Sequence, residues 1–317
     1  MEKVILGIDI GGTKVRLGLV RDNGEILQTN RFPVKRGPLA EFGEELISQT
    51  GLFLTETGYA DRINGIGIGA KGHIDNIKNR YASGSLFTGA DGYDLCGELE
   101  RVFGLPAFID NDLHATVLAE ARWGVGRGRN CFAYINVGTG FAVGLIDSGR
   151  LIRGDHNFAG EAGNCIFIPT DKRPYIHSLE SVVSGGGLDK EVRRMISRFP
   201  DSALAAKART SEPVFSREIF DAYRNGDALA VDLVDDALLM LAYTIINLEH
   251  TLNSKLYVFG GGVVADGWFF DKLRGEVERI SRESGRVWTA PMEISQLGVD
   301  TAGLLGAVSV FLHSRGV

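Results

Sequence analysis

An α/β chain built from two related domains is the fold class this sequence predicts, and three observations predict it. Two strand–turn–strand units, one at the start of the chain and one near its middle, each carry glycine in the turn. Short apolar runs alternate with segments whose apolar residues recur at helical spacing. The 42 glycines are dispersed, which suits many tight loops rather than low complexity. A length of 317 residues fits two domains or one large one, and 44% hydrophobic residues can bury a real core.

The first unit starts with the apolar run Val4-Ile5-Leu6, read as a buried strand. It continues through Gly7-Ile8-Asp9-Ile10-Gly11-Gly12-Thr13-Lys14 into a return strand with Val15, Leu17 and Leu19 on one side. Gly11 and Gly12 allow positive φ and leave no side chain between turn and ligand. The N–H groups of these two glycines, Thr13 and Lys14 can form a concave anion site. Asp9 enters from the strand end, and a carboxylate aimed at phosphates makes sense with Mg²⁺ between them. The P-loop and dinucleotide spacings, both of which open a helix, are absent. A Gly-Gly turn with Asp as turn former is the alternative on this stretch alone.

A third strand covers Glu25 to Val34, and Leu39 to Thr57 carries a helical apolar stripe. Ile63 to Ala70 alternates Ile and Gly, as in a strand pressed close to another backbone. Tyr81 to Tyr93 is a Gly/Ser-rich loop, a candidate substrate lid or wall. A short helix, Leu95 to Phe103, precedes a strand from Pro106 to Ile109. That strand ends in Asp110-Asn111-Asp112, and a helix follows through Ala115, Leu118 and Ala121. The second unit is Phe132 to Val137, the turn Gly138-Thr139-Gly140, and Phe141 to Ile146. Asp155 to Gly187 is irregular and polar. Asp227 to Leu252 is the clearest helix. A strand from Leu256 to Phe259 runs into Gly260-Gly261-Gly262, read as opening a helix N-terminus, with Trp268 to Ile280 helical. The final helix, Thr301 to Leu312, is expected to pack back on the first domain. Residues 1–117 with 301–317 are thus expected as one domain and 118–300 as the other, with a hinge near Leu118.

Charge and cysteine usage exclude several classes. The formal net charge is −6, and lysines and arginines do not cluster, which argues against a nucleic-acid surface. Cys96, Cys131 and Cys165 are odd in number and far apart, so a disulfide framework is not expected and a reducing cytoplasm fits. The opening Met1-Glu2-Lys3 carries no signal-peptide pattern, and no apolar run is long enough for a bilayer.

Three glycine-rich turns, each after a strand, suggest a nucleotide held between two domains. The first two would grip phosphates through N–H groups and threonine hydroxyls; three structural turns are the plainer alternative. Asp110-Asn111-Asp112 stands where a strand meets a helix start, and ligands of α/β sheets gather at such ends. One of the three suffices as an N-cap. Asp112 can then accept a proton from a substrate hydroxyl that attacks a γ-phosphate, and Asn111 can bond a neighbouring hydroxyl. Glu161 and Glu180 are acceptors suited to a polyol's O–H groups, or else surface charge.

Asp9-Ile10-Gly11-Gly12-Thr13, Asn111-Asp112, Gly138-Thr139-Gly140, Ala159-Gly160-Glu161-x-Gly163, Leu179-Glu180-x-x-x-Ser184-Gly185, Gly260-Gly261-Gly262 and Ala302-Gly303-Leu304-Leu305-Gly306-Ala307 occur in one order. In that order the chain resembles the ROK family (repressors, open reading frames, kinases) over nearly its whole length. The resemblance implies the two-domain actin/hexokinase-like (ribonuclease H-like) fold with a central cleft. It implies ATP, Mg²⁺ and transfer of the γ-phosphoryl group to a sugar hydroxyl, O6 for a hexose. It makes Asp112 the base and Gly72, Asn111, Asp112, Glu161, Asn164 and Glu180 sugar ligands. Asp9, Gly11, Gly12, Thr13, Lys14, Gly138, Thr139 and Gly140 then hold the phosphates, with Asp9 acting on Mg²⁺ indirectly, and Gly260, Gly261 and Gly262 hold the adenosine. A homodimer is also implied.

Two departures stand out against that family. Its usual Glu-x-Gly-His and following cysteine motif are replaced here by Asn164 and a segment, Pro169 to His177, without cysteine. Cys165, His156 and His177 match no zinc spacing, so no zinc is expected: a core thiol and two surface imidazoles are read instead. Lys71 replaces the proline usual before Gly72 and either adds charge near the cleft or points to solvent. The rival reading is a sugar-binding sensor without catalysis. The family's repressors carry a helix-turn-helix before the first hairpin, for which eight residues ahead of Asp9 leave no room.

Overall fold

A computed structural model describes residues 3–167, 177–210, 212–285 and 290–316. The chain divides into two compact units. Unit 1 is Met1–Arg129, Gly149–Ala159 and Gln296–Val317; unit 2 is Asn130–Ser148 and Gly160–Ser295. The strands and helices that frame the site, in chain order, are β1 (Val4–Ile10), β2 (Lys14–Arg21), β3 (Ile26–Pro33), α1 (Leu39–Thr57), β4 (Ile63–Ala70), α2 (Leu95–Phe103), β5 (Ala107–Asn111) and α3 (Asp112–Trp123). They continue as β6 (Phe132–Val137), β7 (Phe141–Asp147), α4 (Leu179–Val183), α5 (Gly185–Met195), α6 (Ala228–Leu252), β8 (Tyr257–Gly260), α7 (Trp268–Glu283), β9 (Met292–Ile294) and α8 (Ala302–Ser314).

In unit 1 the sheet order is β3-β2-β1-β4-β5. β1 and β2 form the antiparallel hairpin, while β1, β4 and β5 run parallel. Leu6, Ile8 and Ile10 of β1 face a core with Leu17, Leu19, Phe42 and Leu46. Alternation sends Ile5 to the opposite face, onto Leu304, Val308 and Leu312 of α8. The glycines of β4 explain how close that helix comes. A Cβ on Gly67 would lie 2.0 Å from the Ala307 carbonyl oxygen, so the Ile/Gly alternation is apolar on the core face and bare under α8. The chain's last helix thus returns onto the sheet of its first strands.

Unit 2 repeats the motif. β6 pairs antiparallel with β7 and parallel with β8, which pairs parallel with β9. Its core joins Ile135, Val137 and Phe259 from the sheet to Leu233, Leu241 and Ile245 of α6 and Phe269 and Leu273 of α7. Asp227 caps α6, accepting from the N–H groups of Leu229 and Ala230.

Several sequence readings need correction. Neither Gly11 nor Gly12 has positive φ; the hairpin closes with the Gly11 N–H donating to the Lys14 carbonyl at 3.1 Å. Gly260-Gly261-Gly262 does not open a helix, because turns intervene and α7 starts at Trp268 after a left-handed Gly267. The 81–93 stretch is not all loop: Arg80–Ser83 and Phe87–Thr88 are strands, and Tyr81 is fully buried. Cys165 is exposed, and the buried thiol is Cys96. Leu118 lies inside the unbroken α3, and the chain leaves unit 1 at Asn130. Of the Pro169 to His177 segment, 169–176 lie outside the described residues.

Candidate functional site

Unit 1 gathers its polar side chains where the parallel strands end, and register does the gathering. Asp9 of β1 stands opposite Gly69 of β4, which stands opposite Asp110 of β5. The next rung is Ile10, Ala70 and Asn111. One step further the three chains reach Gly11, Lys71 and Asp112, so the hairpin turn, the lysine and the aspartate emerge side by side.

Asp9 lies across the hairpin from Arg16, whose Nη1 is 3.9 Å from Oδ2. Arg16 also ion-pairs with Asp300. A Cβ on Gly303, in the first turn of α8, would fall 2.5 Å from Asp9 Oδ2, so glycine there lets the carboxylate reach the helix N-terminus. Burial pushes the Asp9 carboxyl up to about 6. Arg16 and Lys14 oppose that rise, and the Asp112 charge adds to it. In the turn beyond, the N–H groups of Gly12 and Thr13 have no hydrogen-bond partner among the described residues. Adjacent open N–H groups of this kind are what an anion-binding edge requires.

Asn111, not either aspartate, is the N-cap of α3. Its side-chain oxygen accepts from the N–H groups of Leu113 at 2.9 Å and His114 at 3.4 Å. Its amide nitrogen donates to the Gly72 carbonyl at 2.9 Å. Asp110 is buried, paired with Arg153 Nη2 at 2.5 Å and 3.4 Å from His114 Nδ1. Burial raises its pKa, but the His114 contact and the Arg153 guanidinium outweigh burial and hold the carboxyl below the usual range. Asp112 is the one of the three left for a ligand. It accepts from the Leu113 N–H at 3.0 Å, and no lysine or arginine among the described residues lies within ion-pair distance. Burial pushes its carboxyl up, against the Leu113 N–H and the Lys71 charge.

Gly72 has a reason of its own to be glycine. Its φ is +140°, and a Cβ would meet the Tyr81 hydroxyl at 2.4 Å. That hydroxyl donates to the Lys71 carbonyl at 3.2 Å.

Unit 2 assembles the remaining predicted residues around its own hairpin. The turn closes with the Gly138 N–H donating to the Gly140 carbonyl. The carbonyls of Gly138 and Thr139 accept from Gly185 and Gly186 at the start of α5, at 2.8 and 3.1 Å. A Cβ on Gly186 would fall 2.8 Å from the Thr139 carbonyl oxygen, so the bare glycines let the helix abut the turn. Ser184 caps that helix, accepting from the Gly187 N–H. Gly261, at φ +93°, packs where a Cβ would sit 2.4 Å from the Val137 oxygen, so Gly260–Gly262 and Gly138–Gly140 are neighbours. Glu180 lies beneath the turn: its Oε2 accepts from the Phe141 N–H at 2.9 Å. Glu161 and Asn164 are exposed on a short 3-10 turn (Ala162–Asn164) beside β7, where the Val143 N–H donates to the Gly160 carbonyl.

Sequence reading missed Arg16, Asp300, Arg153, His114 and the backing glycines 186 and 187, which follow the Ser184-Gly185 pair as a glycine run. His114 is local, four residues from Asp110. Asp300 and Arg153 reach the site across the fold, and Arg16 across the hairpin.

Antiparallel glycine hairpins, each beside parallel strands, with carboxylates at the strand ends of unit 1, define an α/β protein of two related units. The ROK hexokinase from Thermus thermophilus has the same fold, with a TM-score of 0.78 at 26% identity, covering 99% of this chain and 100% of that one. The actin/hexokinase-like class is therefore the right one. The ROK family model matches residues 5–314, and the chain belongs to that family. A glucokinase of Thermotoga maritima is 29% identical over 317 residues, 98% of each chain. A beta-glucoside kinase of Listeria monocytogenes is 26% identical over 312 residues, again 98% of each.

Proposed function

We propose that this chain is an ATP-dependent sugar kinase that transfers the γ-phosphoryl group to a hexose hydroxyl, O6, with Asp112 as general base. The observation that carries the reading is the state of Asp112: it stands at a helix start beside the glycine hairpin, unpaired by any cation among the described residues and with a raised proton affinity. The other two polar residues of Asp110-Asn111-Asp112 are consumed by structure, Asn111 as cap and Asp110 by Arg153.

The carboxylates fit Mg²⁺, since a dication bridged by phosphates would offset the burial and mutual repulsion that raise the Asp9 pKa. Bound Mg²⁺–ATP would supply the phosphoryl group and neutralise charge on its oxygens. Asp9 would hold the metal's waters, Gly11 to Lys14 would bind phosphate oxygens, and Asp112 would orient the sugar hydroxyl and take its proton as transfer proceeds. In unit 2 the Gly138–Gly140 turn would bind phosphate and Gly260–Gly262 the adenosine. Glu161, Asn164 and Glu180 would accept from sugar hydroxyls. The curated relatives named glucokinase and beta-glucoside kinase support a sugar as acceptor.

Purified protein with ATP, Mg²⁺ and a panel of hexoses, N-acetylhexosamines and β-glucosides tests this by ADP release. Sugar-dependent ADP with a sugar phosphate product supports the kinase. ADP without sugar dependence marks an ATPase, and none with any sugar marks a sensor. Either result ends the proposal.

A further inference from the structure

We propose that Lys71 is a catalytic residue of this kinase, its ammonium contacting the phosphoryl group while it transfers. The assignment rests on the kinase reading above. Three observations in unit 1 support it. Register places Lys71 on the step between the hairpin turn and Asp112, so it flanks both phosphate site and base. Its Nζ lies 3.7 Å from where a Cβ on Gly12 would be, over the turn whose Gly12 and Thr13 N–H groups are open. No carboxylate among the described residues lies within ion-pair distance of it, although the Asp112 carboxyl feels its charge.

The backbone is anchored as a catalytic group requires. The Lys71 N–H donates to the Ile10 carbonyl at 2.9 Å, and its own carbonyl accepts from the buried Tyr81 hydroxyl. The next carbonyl, of Gly72, accepts from Asn111. Lys71 is thus tied to β1 on one side and to the cap of α3 on the other, with only its side chain left exposed. A proline here could donate no N–H to Ile10.

In the step proposed, the sugar oxygen forms a bond to Pγ while its proton passes to Asp112. The bond from Pγ to the bridging oxygen breaks, and its electron pair leaves on the β-phosphate of ADP. Negative charge is spread over the equatorial oxygens of the phosphoryl group in flight. A lysine ammonium held beside them stabilises that distribution more than the ground state, which raises kcat rather than tightening sugar binding.

The test compares wild type, Lys71→Met and Lys71→Arg in steady-state assays with the best sugar of the panel. It adds inhibition by ADP with aluminium fluoride, which mimics the phosphoryl group in flight. For Lys71→Met we expect kcat to fall on the order of 10²-fold, as when one preorganised donor is lost. Sugar KM should change less than threefold, and aluminium fluoride inhibition should weaken in parallel with kcat. Lys71→Arg, which keeps the charge, should recover most of the loss. Unchanged melting temperatures are expected, because the side chain is exposed. A kcat for Lys71→Met within twofold of an active wild type overturns the assignment alone, as does a loss confined to sugar KM. A wild type that consumes no ATP with any sugar overturns the kinase reading and Lys71 with it.

Discussion

Replacing Asp9 by asparagine should make the protein more stable at neutral pH while removing its activity. The carboxyl is mostly buried, at 16% side-chain exposure, and its pKa rises from 3.8 to about 6 on folding. A group with a raised native pKa favours the folded state below the unfolded value, and that contribution is lost as pH climbs through the native value. Ionised Asp9 therefore weighs against folding above pH 6. At 1.36 kcal/mol per pH unit the full effect is about 3 kcal/mol, already net of the Arg16 attraction. Asparagine has the shape of the protonated acid and carries no charge to bury. Thermal unfolding of wild type and Asp9→Asn, scanned from pH 4 to 8, measures the difference. The two melting temperatures should nearly coincide near pH 4 and separate between pH 4 and 6, with the variant higher by several degrees at pH 8. Parallel profiles across that range, or a variant less stable at pH 8, would refute the claim that burial and the Asp112 charge strain this carboxylate. ATP turnover by the variant should fall by orders of magnitude.

Asp112→Asn keeps an oxygen for the Leu113 N–H but cannot take a proton, so kcat should drop 10²- to 10⁴-fold, with sugar binding by calorimetry retained. Near-normal turnover would remove Asp112 from its role. Arg153→Met should leave the buried Asp110 carboxylate held only by His114 and the Asn111 N–H and cost about 3 kcal/mol in denaturant unfolding, because a buried ion pair that loses its guanidinium leaves charge poorly compensated. In Gly160→Ala a Cβ would fall 1.6 Å from the Val143 oxygen at a φ of +89°. The 3-10 turn bearing Glu161 and Asn164 must then shift, and sugar KM should rise at least tenfold, as read in the same kinase assay.

The hairpins, the long helix capped by Asp227, the Ile/Gly strand and the returning final helix were all legible along the chain. Each rests on local rules: alternation across a strand, spacing along a helix, a capping side chain, glycine where backbone comes close. Asp9, Asn111 and Asp112 were legible as candidates because strand ends and helix starts can be read from order alone. What could not be read was the division of labour within Asp110-Asn111-Asp112. Which carboxylate is spoken for depends on Arg153, and Arg153 meets Asp110 only through tertiary folding. Arg16, Asp300 and Gly303 approach Asp9 in the same way.

By itself, then, the sequence determined the class of fold and the family and marked the glycine turns as candidates for binding phosphate, because these depend on patterns between near neighbours. Tertiary structure alone decided that Gly11 and Gly12 close their turn without positive φ, that Asn111 serves as a cap, and that Lys71 stands between the hairpin and Asp112. Those outcomes follow from sheet register and burial, where residues far apart in the chain set each other's charge, and no local pattern encodes that.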